Sequence, residues 1–114
     1  MSARNWQLRA EDIFESIQNI RTYTEGMDYP TWCEDKKTID AMVRNFEIIG
    51  EAANHIPADF QSRYPHIPWQ QIRGIRNVLI HEYFGVDEEV IWKAIQDDIP
   101  ALEKMFAQLL EKHG

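Results

Sequence analysis

The sequence predicts an all-α bundle, and three observations carry that expectation. Apolar residues recur at helical spacing through three long stretches. No stretch alternates apolar and polar residues in the manner of a half-buried strand. Gly26, Pro30, Pro57, Pro65, Pro68 and Gly85 mark the breaks between the periodic stretches.

Taken in order, Ile13, Phe14, Ile17, Ile20 and Tyr23 define a first amphipathic helix that ends near Glu25 and Gly26. Residues 26–30 read as a loop. Thr31 followed by Glu34 has the spacing of a capping box, which places the start of a second long helix there. Ile39, Met42, Val43, Phe46, Ile49 and Ala53 supply its apolar face, and it must stop before Pro57. A short helix over Ala58 to Tyr64 fits between Pro57 and Pro65. Pro68 then opens a helix through Trp69, Ile72, Ile75, Val78 and Leu79, with Gly85 as its terminator. Asp87 is expected to cap a last helix whose first turn carries Glu88 and Glu89, the sign the helix dipole favours. Val90, Ile91, Ala94, Ile95, Ile99, Leu102, Met105, Phe106 and Leu109 keep one phase past Pro100, which argues for one kinked helix over two separate ones. Gly50 and Gly74 fall inside helical patterns and are read as points of close approach between helices or subunits, and Trp32, Trp69 and Trp92 as core or interface anchors.

Length and charge restrict the class of protein. At 114 residues and 44% hydrophobic content, the chain fits one domain, residues 1–114, around one core. No run of about 18 apolar residues and no apolar leader occurs, so a soluble, cytoplasmic protein without membrane association is expected. Cys33 is the single cysteine, which excludes an internal disulfide and leaves no zinc-ligand spacing. A net charge of −7 argues against a protein that coats nucleic acid through bulk electrostatics. The distribution is uneven, however. Residues 60–83 carry Arg63, Arg73 and Arg76 against Glu82 alone and form a net-positive stretch, with His66 and His81 nearby.

That stretch contains Arg76-Asn77-Val78-Leu79-Ile80-His81-Glu82-Tyr83. A cation, an imidazole and a phenol within two helical turns are a kit for handling a phosphodiester. On a straight helix Arg76 and Tyr83 lie about 20° apart around the axis, whereas His81 is about 140° from Arg76. Convergence therefore requires a loosened helix near His81, a long arginine reaching across, or a second subunit. A helix C-terminus favours the imidazolium of His81 and Arg76 opposes it, so no net shift is expected. Arg73 lies on a neighbouring face and widens the cationic surface. Taken singly, each residue has an ordinary explanation: a capping histidine, a solvated arginine, a packing tyrosine.

Arg76-x4-His81-x-Tyr83, with Asn77 directly after the arginine, resembles the signature of the HEPN superfamily, and within it the HepT toxin group of prokaryotic toxin–antitoxin pairs. The likeness extends to Phe46-Glu47-Ile48-Ile49-Gly50-Glu51-Ala52, to Tyr64-Pro65-x-Ile67-Pro68-Trp69, to Ile72-Arg73-Gly74-Ile75 and to the Asp87–Leu102 segment, and so covers roughly Asp12 to Leu110. The resemblance implies a HEPN-type bundle of four to five helices that forms a homodimer, with two copies of the motif facing each other across a cleft. It further implies RNA as substrate, cleaved without metal or cofactor. His81 would deprotonate the ribose 2′-hydroxyl and Arg76 would stabilise the charge growing on the phosphoryl oxygens. Asn77 would orient His81 or the phosphate. The resemblance also implies that a cognate minimal nucleotidyltransferase antitoxin silences the protein by transferring AMP to Tyr83, as in type VII-like pairs.

Two classes of function remain open on the sequence. One is the RNA-cleaving toxin, which the full motif favours. The other is a non-catalytic nucleotide-binding or nucleotidyltransferase-partner module, which the acidic net charge favours.

Overall fold

In the computed structural model, which describes residues 3–75 and 88–113, every regular element is an α-helix. The elements are α1 (Ala3–Thr24), α2 (Tyr29–Glu34), α3 (Lys36–Asn54), α4 (Ala58–Ser62), α5 (residues 69–75 of its described part) and α6 (Glu88–His113). The all-α expectation holds, and the chain spends more of its length in helix than the periodicity indicated. α1 begins ten residues before Ile13, at Ala3, and Trp6 and Ala10 extend its buried stripe.

The core is built on α1, which packs against both α3 and α6. Ile13, Ile17 and Ile20 of α1 are fully buried, as are Met42, Phe46 and Ile49 of α3 and Phe106 of α6. All follow the three-and-four spacing that puts one stripe of a helix inward. α1 stops where Gly26 takes a left-handed φ of +78°, a conformation nearly free of cost only for glycine. The Met27 amide closes that turn on the Thr24 carbonyl at 3.0 Å.

The capping box at Thr31 and Glu34 is not what starts the second long helix. Thr31 lies inside α2, an element absent from the sequence expectation, and Asp28 is the cap: its Oδ1 accepts from the Thr31 amide at 2.9 Å, with Pro30 in the first turn. Aspartate caps as well as threonine, and a proline near the start is already set at a helical φ. α3 begins at Lys36 under Asp35, whose Oδ1 accepts from the Thr38 amide at 3.0 Å. Asp35 also ends α2, its own amide bonding the Trp32 carbonyl. The Thr31 hydroxyl and then its amide hold the Asp28 carboxyl below the usual carboxylate range, and the Thr38 amide and then its hydroxyl do the same for Asp35.

α4 is shorter than expected, with Arg63 as its C-cap and Tyr64 already in the following turn. α6 runs unbroken through Pro100, as the continuous phase required, with Glu88 and Glu89 in its first turn. Ile91, Ile95, Ile99, Leu102, Phe106 and Leu109 form its buried edge. The expected cap at Asp87 and terminator at Gly85 lie outside the described residues. Gly50 is buried within α3, while a Cβ on Gly74 would meet nothing within 4 Å among the described residues. Trp32 and Trp69 are core residues, while Trp92 is half-buried against the core. No helix among the described residues is long and apolar enough to cross a membrane.

Phe46→Ala should remove about 3–5 kcal/mol of stability by leaving a cavity between α3 and α1. Urea unfolding should show a lower midpoint with an unchanged slope. Asp35→Ala should lower the melting temperature, and Asp35→Asn should restore much of it, because an amide oxygen can still accept from Thr38.

Candidate functional site

Arg76, Asn77, His81 and Tyr83 lie outside the described residues, and of the expected site residues Arg73 alone has a described position. The structure does define the two supports on either side of the motif: the corner where α4 turns into α5, and the start of α6.

The first support is a cluster of rings and backbone bonds. Phe60 of α4 stacks on Trp6 of α1 with ring centroids 4.1 Å apart and also touches Tyr64 at 5.1 Å. Trp69 sits edge-on to Phe106 of α6 at 5.7 Å, and its indole Nε1 donates to the Tyr64 carbonyl at 3.0 Å. The Ile67 amide bonds that same carbonyl, and the Pro68 carbonyl accepts from Ile72, which starts α5. Tyr64-Pro65-x-Ile67-Pro68-Trp69 thus fixes where α5 leaves the core: Ile67, Trp69 and Ile72 are buried.

Arg73 stands half-buried on this helix. Its Nη1 donates to the side-chain oxygen of Gln61 in α4. The Gln61 amide nitrogen in turn donates to the Ile56 carbonyl at 3.0 Å and the Ala53 carbonyl at 3.3 Å, at the C-terminal end of α3. Gln61 was not among the residues expected at the site. Nothing in its spacing marks it, because its significance arises only when α3, α4 and α5 meet.

The second support is at the start of α6. There Cys33 lies beside Glu88, and Tyr29 beside Cys33. Burial first, and then the Glu88 carboxylate, push the Cys33 thiol up. The hydrogen bond to Cys33, followed by burial, pushes the Tyr29 phenol from 10.0 up to about 12. Tyr29, Trp32 and Trp92 pack beside them, with Trp32 and Trp92 centroids 5.3 Å apart. A small helix between α1 and α3 thereby fastens the first turn of α6.

An apolar groove of about 650 Å³ runs between α5 and α6, lined by Ile72, Ile75, Ala94, Ala101, Leu102 and Met105, with Lys93, Asp97 and Asp98 adding charge. The described residues include no group of three or more His, Cys, Asp or Glu side chains placed to hold a metal ion.

A chain whose described elements are all α-helices is compatible with the class of HEPN-type proteins. The chain belongs to the family described as ribonuclease HepT-like, whose model matches residues 13–109. It is 46% identical over 99 residues to a Thermococcus cleftensis protein named "Probable ribonuclease HepT", covering 87% of this chain and 90% of that one. It is 38% identical over 104 residues to "Putative RNase MJ1380" of Methanocaldococcus jannaschii, covering 91% and 95%. No solved structure matches the chain.

The folded state holds the Tyr29 proton more tightly than the unfolded chain. That contribution is fully present below the ordinary phenol value of 10.0 and is lost as the pH rises through about 12. Melting curves across this window should show a smaller loss of stability for Tyr29→Phe than for the unsubstituted protein.

Proposed function

We propose that this chain is a metal-independent endoribonuclease acting as the toxin of a toxin–antitoxin pair, with Arg76 and His81 as its catalytic residues. The observation that carries the reading is the intact Arg76-x4-His81-x-Tyr83 motif in a member of a ribonuclease family. His81 takes the proton of a ribose 2′-hydroxyl as that oxygen attacks the adjacent phosphorus. The bond to the 5′-oxygen breaks, leaving a 2′,3′-cyclic phosphate and a 5′-hydroxyl that takes up a proton. Arg76 meets the charge on the non-bridging oxygens, and Asn77 orients His81 or the phosphate. DNA lacks the nucleophile and is not cut.

Control falls to Tyr83. Its hydroxyl oxygen attacks the α-phosphorus of ATP on a partner nucleotidyltransferase, pyrophosphate leaves, and the phenolic proton passes to solvent. The tyrosyl-AMP then occupies the anion site that RNA needs. The protein acts as a homodimer in this reading, and the apolar groove between α5 and α6 offers area for a second copy to cover. The net charge of −7 favours a different reading, a nucleotide-binding partner module without nuclease activity.

Cleavage decides between the two. The protein, confirmed free of AMP by intact mass, should cut single-stranded RNA in EDTA and spare DNA of the same sequence, and Arg76→Ala or His81→Ala should each lower the rate at least a hundredfold, or by about 3 kcal/mol. Intact RNA under these conditions establishes the binding-module reading instead. After co-expression with a minimal nucleotidyltransferase, the mass should rise by whole AMP increments, and Tyr83→Phe should show no rise; a rise that persists in Tyr83→Phe removes that residue from the scheme.

A further inference from the structure

We propose that Gln61 is a positioning residue which aims Arg73 at an RNA phosphate flanking the scissile one. The inference rests on the ribonuclease reading above and adds to it a phosphate subsite outside the motif.

Arg73 is half-buried, so its guanidinium has lost part of its water, and a partly desolvated cation is costly without a counter-charge. The exposed Arg21, by comparison, forms an ion pair with Glu103. Arg73 has no carboxylate partner among the described residues; it donates to the neutral side-chain oxygen of Gln61. A guanidinium carries five N–H donors, and this bond uses one of them. An amide partner sets the direction of the cation and leaves its charge in place, which suits a site that awaits an anion.

Gln61 is itself held. Its nitrogen donates to the carbonyls of Ile56 and Ala53, which fixes the amide so that its oxygen faces Arg73. The ends of α3, α4 and α5 therefore meet on one side chain. A residue that only braced this junction could be served equally by a carboxylate on the α5 side, and that would cancel the charge.

The chain around the corner supports the same occupant. Arg63 caps α4, exposed and without an acidic partner among the described residues, and His66 is exposed in the following turn. Arg73 precedes Arg76 by three residues, within the net-positive stretch of an acidic chain. Phosphates recur along RNA at short intervals, so a cation three residues before the proposed catalytic arginine in sequence is suited to a neighbouring phosphodiester, and its forked donors match the two non-bridging oxygens.

The test uses full-length protein and a short 2′-O-methyl oligoribonucleotide, which retains the phosphates and cannot be cleaved, together with its cleavable RNA counterpart. Arg73→Met should weaken binding of the methylated probe roughly tenfold, the value of one charge-assisted hydrogen bond. It should also make the salt dependence shallower by about 0.7, one phosphate on a single strand. Arg73→Lys should recover the salt slope but only part of the affinity. Gln61→Met should raise KM for the cleavable RNA with kcat retained, at a temperature where melting curves show it folded. Unchanged affinity and slope in Arg73→Met, while the unsubstituted protein binds and cuts RNA, overturns the subsite and leaves the ribonuclease reading standing. Failure of the unsubstituted protein to bind the probe and to cut RNA overturns both.

Discussion

Burial of the isoleucine stripe on α1 is the constraint from which the remaining arrangement follows. Ile13, Ile17 and Ile20 are fully enclosed because α3 covers one side of the stripe and α6 the other. An amphipathic helix in a protein draws most of its stability from packing of its apolar face, so the persistence of α1 depends on that enclosure. α3 and α6 are then fixed relative to each other without direct reliance on the segment that joins them through α4 and α5. α2, α4 and the described part of α5 attach to this frame through rings: Trp32 against Trp92, Phe60 against Trp6, and Trp69 against Phe106.

This division explains how an acidic helical bundle can carry a group of basic residues at one corner. The frame carries most of the acidic residues on its solvated faces, where charge costs little. The corner between α4 and α5 carries Arg63, His66 and Arg73. Its shape is set by backbone bonds around Tyr64 and Trp69 and by the Gln61 amide, none of which consumes a positive charge. Neutral groups do the bracing, and the cations stay available.

The long helices were legible in the sequence because burial on one face imposes a period on composition, and α1, α3 and α6 display it over many turns. Pro100 did not obscure α6, since Ile95, Ile99, Leu102 and Phe106 keep their phase across it. What escaped was local and competitive. Thr31 with Glu34 and Asp28 with Thr31 offer rival caps a few residues apart, and pattern alone does not rank them. Tertiary bonds decide for Asp28, because α2 must bring Tyr29, Trp32 and Cys33 to the start of α6. At the site, the types and spacing of Arg76, His81 and Tyr83 were readable as chemistry and as a family signature. Gln61 was not, since a glutamine in a five-residue helix carries no periodic or motif signal, and its partners lie on α3, on the turn after it and on α5.

Asp35 closes α2 with its amide and opens α3 with its carboxylate, so the two helices share a single residue where most neighbouring helices are separated by a loop. Such a joint has no slack. One residue inserted between Glu34 and Lys36 would turn α3 by about 100° about its axis if the junction were to be rebuilt in register. Met42, Phe46 and Ile49 would then rotate off α1 together. Variation in chain length is thus far costlier at this corner than at the Gly26 turn, and lineages of this protein are expected to alter the residues of α2 freely on its outer face while keeping its length fixed.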